Sequence, residues 1–219
     1  VREKRMANEL SINQQNPLAP AQVTQTGEKN VHVTNQAGGT INFNIYPQAG
    51  GDASAEMMMR VQMFSKEYYQ LLVTLEEDVF TTNVITISAT RALTKAYAPS
   101  EIFERCATLT DEGMEELKRF PAIICRENTA FDGVTDPNQM CVYAYIKRIM
   151  KAGGNIKVAF QPIMPMFQRI LCDKRNAVFF DLNMDCALTD LNHSAWYVHK
   201  ANLFEAFDEA GLPNMPRPV

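Results

Sequence analysis

Hydrophobic and polar positions follow different rhythms in different parts of this chain. Residues 1–29, opening "VREKRMANELSINQQNPLAP", are rich in Gln, Asn, Thr and Pro and hold no sustained apolar period. Such a segment buries too little surface to offset its ordering entropy, so a flexible arm is expected. From residue 30 the pattern alternates. Val31 and Val33 precede the turn-forming "NQAGG", and Ile41, Phe43 and Ile45 follow it. A period of two on each side of a glycine turn predicts a β-hairpin. "PQAGGDASA" then reads as a linker, which closes a hairpin-and-linker unit over 30–54. A single hairpin is marginal in water. The apolar positions Val31, Val33, Ile41, Phe43 and Ile45 therefore need a cover, from this chain or from a partner that pairs with it.

At residue 55 the period lengthens. "AEMMMRVQMFSKEYYQLLVTLEE" lacks Gly and Pro, and Met57, Val61, Phe64, Tyr68 and Leu72 recur at three- and four-residue steps. This predicts a long helix over 55–77. Met58, Met59 and Met63 widen its apolar surface, as a buried helix or an adaptable binding face would. "NVITISA" predicts a short strand. "APSEIFERC" and "TDEGMEELKRF" predict short helices, the first capped by Ser100 and the second by Thr110 or Asp111. Residues 55–120 thus read as mainly helical.

Beyond Pro121 short strands dominate. "PAIICREN" fits a buried strand, and "MCVYAYIKRIMKAGGNIKVAFQPI" reads strand, turn, strand. In that hairpin Val142, Ala144 and Ile146 share a face with Ile156, Val158 and Phe160, and Pro162 ends the second strand. "MPMFQRILCDKRN" suggests a short helix. "SAWYVHKA" alternates as a strand, and "NLFEAFDEAG" is a helix with Asn202 as cap and Gly211 as stop. Residues 121–212 therefore read as a small, partly open β-barrel-like domain, and the proline-bearing 213–219 as an extended tail. The fold class is α+β: an N-terminal β-hairpin, a long helix, and a C-terminal small partly open β-barrel with short helices.

Composition narrows the function. The chain has 219 residues, 46% of them hydrophobic, which suffices for a real core. The net charge of -4 argues against a general nucleic-acid binder. The cysteine count, 5, is odd and no C-x-x-C pair occurs, so neither a disulfide framework nor a structural zinc site is expected. No apolar run approaches the roughly 20 residues of a membrane span, and the N-terminus lacks a secretory apolar core. A cytoplasmic protein that does not enter membranes is expected.

Candidate chemistry is sparse. Cys186, His193 and His199 invite a nucleophilic or metal reading, but their spacing matches no zinc motif, and turn and surface histidines are expected. No catalytic residue, metal or cofactor is assigned. Asp132, Asp136 and Asn138 do not fit a calcium loop, and no phosphate-binding loop or hydrolase motif occurs. Lys147, Arg148 and Lys151, with Tyr143 and Tyr145, outline a face that could bind a single strand by stacking and phosphate contacts. Trp196 reads as a core anchor whose indole N–H meets a carbonyl, with Lys200 and Asn202 holding the strand–helix corner through backbone carbonyls.

The residues Pro121, Glu127, Leu191, Asn192, Trp196, Lys200, Asn202 and Leu203 carry a resemblance. With the paired hairpin between them, 121–212 resembles a C-terminal module of bacterial proteins from defence and stress-response operons. In this chain His199 stands immediately before the lysine of that pattern. The resemblance implies an interaction or sensor component and names no reaction. The combined reading is a non-enzymatic interaction and oligomerisation protein, a scaffold or sensor in a bacterial defence system. Its expected partners are further copies of itself or an operon-encoded protein. The alternatives are a single-stranded nucleic-acid-binding barrel and a hydrolase or nuclease with an unrecognised site.

Overall fold

The computed structural model describes the backbone of residues 31–34, 40–43 and 51–54, and both backbone and side chains of residues 55–219. Strands β1 (Val31–Thr34) and β2 (Thr40–Phe43) pair antiparallel, with Val31 opposite Phe43 and Val33 opposite Ile41. Ile45 lies outside the described residues.

Helix α1 (Gly51–Gln62) does not continue to residue 77. The hydroxyl of Ser65 accepts the N–H groups of Glu67 and Tyr68, each at 3.1 Å, and this local turn competes with further helix. Tyr69–Thr74 is instead β3, buried along its whole length. Its apolar residues serve both faces of a sheet, so they look continuous rather than alternating, and the helical steps through Tyr68 and Leu72 are coincidental.

Short helix α2 (Val79–Thr82) leads into β4 (Val84–Ser88), and α3 (Ser100–Cys106) and α4 (Asp111–Leu117) follow. Pro99 holds the cap position of α3, so Ser100 is its first helical residue rather than its cap. Thr110 caps α4 by accepting the Gly113 N–H. Then come β5 (Ala122–Arg126), β6 (Met140–Ala152) and β7 (Asn155–Phe167). Single-turn helices α5 (Arg169–Cys172) and α6 (Lys174–Ala177) precede β8 (Ala195–His199) and α7 (Leu203–Glu209). β7 runs on through Pro162 and Pro165 to Phe167, where a strand end and a helix over 164–176 were expected. Beyond Ala159 no residue of β4 pairs with it, and the β6 register shifts between Tyr143 and Ala144. Prolines are tolerated at such an edge or bulge.

The strands form one six-stranded sheet in the order β4-β7-β6-β5-β3-β8. Only the β3–β5 pair is parallel. The sheet takes strands from both sides of Pro121. It curls into a half-barrel that brings β4 toward β8. The inner face packs Leu72, Ile124, Val142, Val158 and Trp196 against Ile102, Cys106 and Leu117 of α3 and α4. The outer face packs Leu71, Ile123, Tyr143 and Tyr197 against Phe204 and Phe207 of α7 and Val61 of α1. The chain end is tied down rather than merely extended. Tyr143 donates to the Pro216 carbonyl at 2.9 Å, and Arg217 grips Asp208 with two bonds of 2.6 and 2.8 Å.

Both outer strands are partly covered. On β4 the Thr86 N–H donates to Glu76 Oε2 at 3.1 Å. Along β8 the Leu93 N–H donates to the Trp196 carbonyl at 3.0 Å, and the Val198 N–H to the Tyr97 carbonyl at 2.8 Å. Occupied edges resist pairing with other chains.

Gly113 lets α3 and α4 meet. A Cβ there would stand 2.8 Å from the Arg105 carbonyl oxygen and 3.2 Å from the Cys106 Cα, both backbone atoms. Gly113→Ala gains about 1 kcal/mol of helix propensity but forces the helices apart, at about 1–3 kcal/mol. A net loss of stability is expected in chemical denaturation; a gain would show that the helices yield freely.

Candidate functional site

The outward residues of β8 are Ala195, Tyr197 and His199, and two chain segments enclose them. The stretch bonded along the β8 edge brings the Tyr97 ring to 4.7 Å from the Tyr197 ring. On the other side the run through α6 to Asp185 is fastened where the Tyr69 hydroxyl donates to the Phe180 carbonyl. The turn that carries Asp190 is fixed by Asn192, whose amide donates to the carbonyls of Asn128 (3.0 Å) and Ala130 (2.7 Å). Between these walls lies a cleft of about 670 Å³ lined by Tyr97, Tyr197, His199, Asp181, Asp190 and Lys174, among others.

His199 is 7% exposed. Its ring stacks on Tyr69 at 5.1 Å and on Tyr197 at 5.7 Å. Its Nδ1 lies 3.5 Å from Asp181 Oδ2, while its Nε2 is buried with no hydrogen-bond partner among the described residues. His193 Nε2 lies 2.7 Å from the Tyr197 hydroxyl and 3.4 Å from that of Tyr97. Burial, reinforced by the Asp190 charge, pushes the Tyr197 phenol far up, and burial with the Asp181 charge does the same to Tyr69. Both phenols stay protonated donors at any ordinary pH.

His199 departs from the expected turn or surface histidine, whereas His193 sits in the bend between the 190–192 turn and β8. β8 lies against β3, and the 174–185 run covers its outward face, so His199 is enclosed. Cys186 is exposed and donates its thiol to the Leu188 carbonyl. Among the described residues no group of three or more His, Cys, Asp or Glu could hold a metal ion. Ser194, beside His193, donates to Glu127 at 2.5 Å and accepts the Leu75 N–H at 3.1 Å, so it ties strand ends together.

The proposed single-strand face is divided. Lys147, Arg148 and Lys151 are exposed, and Lys151 donates to the Thr108 carbonyl. Tyr143 and Tyr145 are 0% and 3% exposed because they pack into the outer core, so neither offers a stacking surface. At the corner, Trp196 is fully buried and its indole N–H donates to Gln70 Oε1 at 3.1 Å. Asn202 caps α7 by accepting the Phe204 N–H. Lys200 reaches carboxylates rather than backbone carbonyls, Glu101 at 3.0 Å and Glu67 at 3.7 Å. Exposed pairs of this kind contribute little.

Tyr69, Tyr97 and Asp181 were not singled out from sequence. No local sequence pattern marks them; Asp181 stands in the left-handed region with a φ of 52°. Comparison of the chain with known protein families, curated proteins and solved structures gives no match in any of the three. No helix among the described residues is long and apolar enough to cross a membrane.

Proposed function

We propose that this chain is a non-enzymatic interaction protein that assembles with copies of itself through its N-terminal hairpin and α1. The observation that carries this reading is the exposed methionine face of α1. Met58 and Met59 of α1, and Met63 just past its end, are 50%, 63% and 60% exposed, while Val61 of α1 is fully buried. An adaptable apolar face that follows, in sequence, a hairpin in need of cover suits a self-complementary contact.

The wider role follows from the resemblance of 121–212 to a module of bacterial defence operons. The chain then acts as a cytoplasmic scaffold or sensor in such a system, with an operon-encoded protein as a further partner. The five free cysteines are in keeping with a reducing compartment.

The test is a double substitution, Met59→Lys with Met63→Lys. Exposed sites of this kind change folding stability by about 0.5 kcal/mol or less, so the fold is retained. The mass in solution should fall toward that of one chain. An assembly of unchanged mass would remove the helix from the contact.

A further inference from the structure

Three large apolar side chains stand exposed at one loop tip of the folded body. Phe131, Val134 and Leu188 are 61%, 58% and 61% exposed. The Val134 N–H donates to the Phe131 carbonyl at 3.1 Å, and Asp132 and Gly133 between them have φ of 57° and 72°. Positive φ at both central positions marks a type I′ turn, which sets its flanking residues side by side. The turn is held to the neighbouring loop where the Asp132 N–H donates to the Ala187 carbonyl at 2.9 Å, next to Leu188. Asn192 fixes its base through the Ala130 carbonyl. An aromatic presented on a fixed turn needs little ordering on binding, and it suits a contact surface.

The chain itself carries an apolar face that lacks a cover. β1 and β2 form a two-stranded sheet of their own, and the register sets Val31 opposite Phe43 and Val33 opposite Ile41 on one face. Residues 30–46 hold no Asp, Glu, Lys or Arg, so the exposed Asp132 in the turn meets no like charge from the hairpin. Chain length bears on whose hairpin fits the tip. Phe64, just past α1, packs its ring 6.2 Å from that of Tyr143, whereas burial and the nearby Glu56 charge push the Tyr145 phenol up. α1 therefore leads along β6 away from Met140, the strand end that the tip loop enters. Met140 to Tyr145 is about 17 Å of strand, and Glu56 to Gly51 adds about 7 Å of helix. Residues 44–50 span at most about 25 Å, so reaching the chain's own tip would draw that linker out along most of its length. The tip of a second copy can approach the hairpin freely.

We propose that the β1–β2 hairpin of one copy seats its apolar face on the Phe131, Val134 and Leu188 tip of a second copy. The contact rests on the self-assembly reading and names the surface that the hairpin meets. Each chain carries one donor, the hairpin, and one acceptor, the tip. Phe131 is the anchor of the acceptor, and Val134 and Leu188 flank it.

Light scattering over a dilution series of full-length chains tests this. Phe131→Asp disables the acceptor and Phe43→Asp the donor. Leu188→Lys is a second acceptor variant, and unchanged circular dichroism melts verify that the variants fold. The unaltered chain is expected at a multiple of one chain mass. Each variant alone should raise the dissociation constant about tenfold or more, the scale of a lost interface anchor. Phe131→Asp and Phe43→Asp mixed in equal amounts should regain a two-chain species, because one keeps its hairpin and the other its tip. Assembly that persists in both folded acceptor variants but is lost in Phe43→Asp would overturn the proposal and leave self-assembly through the hairpin standing. A mixture that stays at single-chain mass would overturn it too. A single-chain mass for the unaltered chain would remove the self-assembly reading and this contact together.

Discussion

Replacing Trp196 with alanine is expected to remove about 3–5 kcal/mol of folding stability, from the transfer and cavity costs of a fully buried aromatic. The side chain sits in the inner core opposite Leu72 on β3. It also anchors a polar bridge. Its indole donates to Gln70, whose amide in turn donates to the carbonyls of Leu117 and Phe120 at 2.9 and 3.0 Å. Alanine leaves Gln70 Oε1 buried without its donor, which adds about 1 kcal/mol or more. Domains of ordinary stability hold about 5–15 kcal/mol in all, so much of the margin disappears. Because Trp196 is the only tryptophan, unfolding of the variant must be followed by circular dichroism. A loss below about 1 kcal/mol would contradict a core closed by this residue.

Phe207→Ala tests the other face of the sheet. Phe207 is fully buried on α7, edge-on to Tyr143 at 5.3 Å and to Phe180 at 6.0 Å. It joins the helix, the sheet and the wall of the cleft in one contact set. A loss of about 3–5 kcal/mol is expected from denaturant titration. Phe180 follows the single-turn α6 and belongs to the run that forms one wall of the cleft. The substitution should therefore also loosen that wall, read as faster amide hydrogen exchange across residues 174–185 under conditions where the variant remains folded. Unaltered stability would mean that α7 rests on the sheet without contributing to it.

What the sequence made legible follows from the length scale of each signal. The β6–β7 hairpin, the Trp strand and α7 are each contiguous in the chain and carry their own period, turn or cap, so local pattern found them. β3 was misread because a strand buried on both faces shows no alternation, and Ser65, whose hydroxyl holds the turn between α1 and β3, is a weak sign beside so many methionines and leucines. β7 was cut short because Pro162 is a strong local breaker, whereas the free flank that tolerates it depends on where β4 stops. The cleft was invisible for a different reason. Its chemistry joins Tyr97, Asp181 and His199, which lie far apart in the chain and meet only once β8 has been edged by one segment and covered by another. The even-odd alternation of β8 did place Tyr197 and His199 on one side. It could not tell that the side would be closed in.

The most direct test of self-assembly is the solution mass, measured by light scattering, of the full chain and of a version lacking residues 1–50 that keeps α1 entire. Assembly through the hairpin and α1 predicts a multiple of the chain mass of 24.7 kDa for the full chain, and a smaller species after the truncation. A single-chain mass for both, or an assembly that survives the truncation unchanged, would contradict it.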